Sequence, residues 1–278
     1  MAGRPALEVR LGDNLELLRA VPDGSVQMVY ADPPFNTGRP QTRRTLATTA
    51  ASDGDRVGFG GRRYATREIA SAPGYADAFD DYLGFLGPRL AELRRVLDPT
   101  GTLYLHLDYR EAHYTKVALD GLFGRECFLN ELIWAYDYGA RARRRWPAKH
   151  DTILVYVRDP GRYHFDSEAV DREPYMAPGL VTPEKVARGK LPTDTWWHTI
   201  VSPTGREKTG YPTQKPEGLV RRMVQASSRP GDLCLDPFAG SGTLGAVATK
   251  LGRRALLMDS SPEAVRVMRD RLGRGPGA

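Results

Sequence analysis

Asp32-Pro33-Pro34-Phe35 stands directly after the apolar run Val26–Ala31. Two consecutive prolines fix their own backbone and restrict the residue ahead of them, so a stiff loop is predicted here. A stiff loop holding a carboxylate, a carbonyl with no structural partner and an aromatic ring can grip a planar group that carries an NH2. Asp32 and the Pro33 carbonyl would accept its two hydrogens while Phe35 stacks on its face. Asp32, Pro33, Pro34 and Phe35 are therefore the candidate catalytic residues. A plain two-proline turn is the bland alternative, and it loses weight because a second loop complements this one.

That second loop is Asp236-Pro237-Phe238-Ala239-Gly240-Ser241-Gly242-Thr243, between the apolar stretch Leu233–Asp236 and a predicted helix. Its glycines let the backbone turn tightly and approach a ligand, and the helix start offers N–H groups to an anionic group. It is not a phosphate loop, because Leu244 stands where the lysine would have to follow. A further strand, Ala255–Met258, ends at Asp259, whose carboxylate can accept hydrogen bonds from both ribose hydroxyls of a nucleoside cofactor. With an acid at each strand end, nucleoside binding outweighs an ordinary strand-to-helix turn.

The elements that position these loops alternate between strand and helix. Strands are predicted at Val9–Leu11, Val26–Ala31, Thr102–Leu107, Leu132–Ala135, Thr152–Val157, Leu233–Asp236 and Ala255–Met258. Helices are predicted around Leu15–Leu18, Phe79–Leu97, Glu111–Leu122 and Pro216–Ser228, from the glycine loop to Leu251, and from Pro262 onward. Asp98–Gly101 reads as a turn, residues 36–76 as a stretch without periodicity, and 158–212 as an irregular insert. The alternation argues for an α/β fold with a mostly parallel sheet.

The 278 residues are 41% apolar and 27% charged, enough for a packed core and a hydrated surface. No stretch approaches the roughly 18 apolar residues of a membrane span, and no apolar run follows the first residues as in a signal peptide. Two cysteines, Cys127 and Cys234, are too few for a disulfide framework or a zinc site and suggest a reducing compartment. The net charge of +6 is unevenly spread. Arg141, Arg143, Arg144, Arg145 and Lys149 crowd one segment without an acid, and residues 39–74 carry seven arginines against Asp53, Asp55 and Glu68. Arginine's planar fork suits phosphates and base edges.

Together the two loops resemble the β class of S-adenosylmethionine-dependent DNA amino-methyltransferases, which act on N6 of adenine or N4 of cytosine. In that class the target-amine motif precedes the cofactor motif, as Asp32–Phe35 precedes Asp236–Thr243 here. Gly12-Asp13, Thr102–Asp108, Phe128–Trp134, Lys149–Leu154 and Tyr211–Pro216 also look like that family's blocks, so the resemblance runs over nearly the whole chain.

The resemblance implies a Rossmann-like methyltransferase fold with a circularly permuted motif order and a small target-recognition insert at 158–212. Residues 1–157 would form the target-amine half of the catalytic domain and 213–272 its cofactor half. Phe238, Ala239, Gly240, Ser241, Gly242 and Thr243 would hold the methionine part of S-adenosylmethionine, and Asp236 belongs to the same loop. Asp259 would take the ribose, and Thr213, Gln214, Lys215 and Pro216 would close over the methionine end. Asp13 would reach the cofactor's adenine amine, with a helix N-cap as its alternative role. His106 and Asp108 match the family's pattern, with structural roles expected. No metal and no thiol enter this chemistry.

The implied substrate is double-stranded DNA, with the base swung out of the helix. The acid at Asp32 favours adenine over cytosine. Sequence choice is expected in 158–212, with the arginine cluster and Lys149 gripping phosphates. A homodimer and a cognate restriction endonuclease are further candidate partners, and the expected location is cytoplasmic. A non-catalytic DNA-binding module is the competing reading from another class.

Overall fold

Val26–Ala31 is buried at all six positions, which only a strand covered on both faces can be. In the computed structural model it is the second strand, β2, of an eight-stranded sheet. The structure describes residues 6–38, 41–50, 52–53, 56–57, 63–75, 77–137, 142–202 and 205–273.

In chain order the elements begin with β1 (Leu7–Leu11), α1 (Asn14–Arg19), β2, β3 (Gln41–Ala50), β4 (Arg56–Val57) and β5 (Arg63–Tyr75). There follow α2 (Tyr82–Val96), β6 (Leu97–Leu107), α3 (Ala112–Phe123), β7 (Phe128–Ala135), β8 (His150–Val157), α4 (Pro183–Arg188) and β9 (Thr195–Trp197). The chain closes with α5 (Glu217–Ser227), β10 (Leu233–Asp236), α6 (Thr243–Lys250), β11 (Arg254–Asp259) and α7 (Pro262–Gly273).

The main sheet runs β1-β11-β10-β2-β6-β8-β7-β9. The first five strands are mutually parallel, and β8 turns back against β6. Successive side chains of a strand face opposite layers, and the core divides accordingly. Val29, Leu103, Leu105, Leu235 and Leu256 pack with Leu18 of α1, Leu86 and Leu90 of α2 and Leu119 of α3. Met28, Tyr30, Tyr104, Cys234 and Leu257 pack with Leu219 of α5, Leu244 of α6 and Val265 of α7. This is the Rossmann-like three-layer arrangement that the element order predicts.

Two expectations change. Residues 36–76 are not structureless, because β3, β5 and β4 form a separate three-stranded antiparallel sheet. Its strands are built from Thr, Arg and Ala, so the apolar alternation that marks a half-buried strand is missing, although the backbone pairs normally. Asp98–Gly101 belongs to β6 rather than to a turn, with a register shift opposite Val26–Met28. The segment 158–212 is largely irregular as expected, but its β9 joins the main sheet beside β7.

Candidate active site

Parallel strands bring their carboxyl ends to one edge of a sheet, and here nearly every strand arrives there with an acid. Asp259 ends β11 and Asp236 ends β10, while Asp32 and Asp108 follow β2 and β6 by one residue and Asp13 follows β1 by two. The antiparallel β8 starts at the same edge, because Thr152 pairs with Leu107, and it adds Asp151. The row Asp13, Asp259, Asp236, Asp32, Asp108, Asp151 lines a cavity of about 660 Å³. Ligands of open α/β sheets bind in such a crevice.

Six carboxylates in a row need partners. Arg89 donates to Asp13 at 2.8 Å and to Asn14 Oδ1 at 2.6 Å. Asp13 also caps α1, accepting from the Leu15 N–H at 2.8 Å, so its N-cap role is real while the side chain still faces the cavity. Lys215 Nζ donates to Asp32 Oδ2 at 2.5 Å, and Arg110 closes on Asp108.

Asp236 and Asp259 receive backbone N–H groups instead of cations. Phe238 N donates to Asp236 at 3.0 Å; Gly240 N and Ser261 N donate to the two oxygens of Asp259, each at 2.8 Å. Burial pushes Asp236 well above the usual carboxylate range, and the negative charges of Asp32 and Asp259 add to this. Burial also raises Asp259, against the pull of its two N–H donors. A carboxylate has about four lone-pair directions, so Asp259 keeps acceptor capacity toward the cavity.

Beneath Phe35 lies a buried polar chain. The fully buried His106 ring stands 5.7 Å from the Phe35 ring, centroid to centroid. Its Nδ1 is 2.8 Å from the Tyr30 hydroxyl and its Nε2 is 3.1 Å from Asp151 Oδ2. Burial and the surrounding acids Asp32, Asp236 and Asp151 raise Tyr30. As a carboxylate Asp151 only accepts, so Nε2 carries the hydrogen between them. Burial alone would raise Asp151, but its hydrogen bond with His106, with Lys215 and the Tyr136 hydroxyl, holds it below its ordinary value. Tyr136 donates to Asp151 Oδ1 at 2.9 Å and packs on Trp134, which meets His106 edge-on.

The exit of the Asp32–Phe35 loop is pinned as firmly. Asn36 adopts a left-handed backbone, φ 55°, which Asn tolerates better than most residues. Its N–H donates to Asp77 at 2.7 Å, its amide to Glu111 at 2.8 Å, and its carbonyl oxygen accepts from Phe79 N at 2.9 Å.

On the glycine-loop side, Gly240 and Gly242 also lie in the left-handed region, at φ 49° and 74°. A Cβ on Gly242 would stand 2.9 Å from Met268 Cγ, so close helix packing needs glycine there. Thr213, Gln214 and Lys215 line the cavity, as do Phe238, Ala239, Gly240, Ser241 and Thr243, whereas Pro216 and Gly242 do not. Gln214 is occupied within its own loop by Thr209 and Glu207, and the Lys215 side chain turns to Asp32. Both thiols are buried, and burial pushes Cys234 up to about 12.

Arg143, Arg144 and Arg145 are exposed on the segment between β7 and β8, at the same edge as the acid row, and Lys149 pairs with Asp137 at 3.8 Å. Arg141 lies outside the described residues, as do residues 39, 40, 51, 54, 55 and 58–62 of the 39–74 stretch. Sequence reasoning missed Tyr30, Asn36, Asp77, Arg89, Tyr136 and the use of Asp151. Strand alternation, with Tyr104 and His106 on one face, was the available hint for the buried chain.

Residues 26–270 match the family model described as DNA methylase. The chain is 30% identical over 278 residues to the DNA adenine methyltransferase YhdJ of Escherichia coli (strain K12), covering 97% of this chain and 84% of that protein. The crystal structure of the M1.HpyAVI–SAM complex superposes with a TM-score of 0.60 at 19% identity, covering 96% of this chain and 98% of that one. The PvuII DNA methyltransferase, described as cytosine-N4-specific, gives 0.65 at 16% identity, covering 97% and 89%.

Proposed function

This chain belongs to the DNA methylase family and is a DNA amino-methyltransferase, and we propose that it methylates the N6 amine of an adenine turned out of double-stranded DNA. One observation carries the reading. The Asp32–Phe35 loop and the Asp236–Thr243 loop, two hundred residues apart in sequence, line a single cavity at the strand ends. The acid at the first position of the target loop and the adenine methyltransferase YhdJ at 30% identity favour adenine over cytosine.

The cavity fits S-adenosylmethionine. Asp259 offers acceptors for the ribose, Asp13 for the adenine amine, and the start of α6 N–H groups for the methionine carboxylate. The acid row suits the positive charges of the sulfonium and the amino group. When bound, this cofactor supplies a methyl group on a sulfonium, an electrophile ready for transfer.

The protein's own task is to make a poor nucleophile attack. The lone pair of an exocyclic amine is delocalised into the ring. Asp32 and the Pro33 carbonyl, accepting its two hydrogens, favour a tetrahedral nitrogen and stabilise the charge that develops on it. Pro33 and Pro34 hold these acceptors still, and Phe35 stacks on the base, offsetting part of the cost of leaving the helix. The amine's proton becomes acidic only as the new bond forms, so Asp32 need not be a strong base.

Residues 158–212 are the proposed recognition insert, and the exposed Arg143–Arg145 run with Lys149 is the proposed phosphate grip. A homodimer and a cognate endonuclease are the further proposed partners; sedimentation of the purified chain reads the first directly. Incubation with cofactor labelled in the methyl group and duplex DNA, then digestion to nucleosides, tests the function. Labelled N6-methyladenine is expected. N4-methylcytosine would move the target, and no labelled nucleoside would leave a binding module.

A further inference from the structure

A second cavity, of about 340 Å³, adjoins the first and shares Asp108, Tyr136 and Asp151 with it. Its remaining wall includes Tyr109, Arg110, Arg145 and His150. Both shared acids are already satisfied. Asp108 accepts from the Arg110 N–H at 2.9 Å and from the Arg110 guanidinium, and Asp151 is held by His106 and Tyr136.

The charge left over is Arg145. Its guanidinium carbon stands 6.0 Å from the centre of the Tyr109 ring, which also faces Arg110 at 4.9 Å. No acid among the described residues forms an ion pair with Arg145. A cation steadied by an aromatic face, with no acid of its own, inside a polar recess that borders the base cavity, is suited to a singly charged oxyanion.

We propose that this recess takes the phosphodiester that flanks the extruded base, with Arg145 as its ligand and Tyr109 holding the guanidinium in place. The inference rests on the base-extrusion reading above: only a group within about one nucleotide of the target base reaches a cavity that shares three wall residues with the base cavity. Arg145 thereby fixes the register of the strand, so that the neighbouring base arrives opposite Asp32.

The test pairs one variant with a set of modified duplexes. Each duplex carries a single neutral methylphosphonate at one position around the target base, and DNA affinity is measured for the wild type and for Arg145→Ala. Arg145 is exposed, so the variant should fold. On unmodified DNA it should bind about tenfold more weakly, with a salt dependence shallower by about one unit. One methylphosphonate next to the target base should cost the wild type about as much and the variant less than twofold. Losses that add at every position would overturn the proposal. Methyl transfer by the wild type, followed in the same series, separates the two readings. No transfer takes both down, whereas transfer with additive losses removes only the phosphate site.

Discussion

Lys215 donates its ammonium to Asp32 Oδ2 at 2.5 Å across 183 residues of sequence, and the same nitrogen stands 4.9 Å from the centre of the Phe35 ring. The contact joins the loop after β2 to the segment ahead of α5. Both side chains are mostly shielded from solvent, at 10% and 17% exposure, so the pair is more than a surface salt bridge. One oxygen of Asp32 is thereby held, and the proposed mechanism assigns the other to the amine of the base.

The pair yields a prediction that departs from the role first expected of Lys215. Its side chain contacts the proposed target loop, so Lys215→Met should lower kcat by about tenfold or more while cofactor affinity stays within about threefold. Lys215→Arg should recover part of the loss. Calorimetric titration with the cofactor beside steady-state kinetics reads both. Weakened cofactor binding with intact kcat would return the side chain to the methionine end.

Phe35 lines the cavity and is the proposed stacking platform for the base. Stacking on an aromatic ring is worth about 1–3 kcal/mol, so Phe35→Ala should weaken engagement of the extruded base roughly tenfold and leave cofactor binding alone. A fluorescent adenine analogue at the target position reports this. Equal emission in wild-type and variant complexes would mean that Phe35 does not stack.

Asp236 sets a pH dependence. Its folded-state pKa is raised, chiefly by burial, so its contribution to stability is fully present below the unfolded value of about 3.9 and is lost as pH rises through the raised value. Asp236→Asn keeps an oxygen for the Phe238 N–H and removes the titration. The variant's unfolding free energy should match the wild type near pH 4 and exceed it as pH rises above the unfolded value, with a slope of at most about 1.4 kcal/mol per pH unit. An offset that is constant across pH would contradict this account of Asp236.

Much of this architecture was legible in residues that act locally. Val26–Ala31 reads as an apolar strand, and the acids at or just after the ends of β2, β10 and β11 stand beside loops whose prolines and glycines announce themselves. The rest depends on contacts between distant residues. That Asp151 joins the row depends on β8 running antiparallel beside β6, and that Lys215 meets Asp32 depends on the strand order; neither leaves a local pattern. The sheet of β3, β4 and β5 was hidden because Thr, Arg and Ala give no alternation. His106 was expected to be structural, and its burial between Tyr30 and Asp151 agrees.

The central claim is that the Asp32 carboxylate receives the target amine beside an independently formed cofactor site. Single-turnover transfer of a labelled methyl group to duplex DNA by Asp32→Ala, with cofactor affinity measured on the same preparation, tests it most directly. The account predicts a loss of at least about a hundredfold in the transfer rate, with cofactor affinity within about threefold of the wild type. Transfer at near wild-type rate would contradict it.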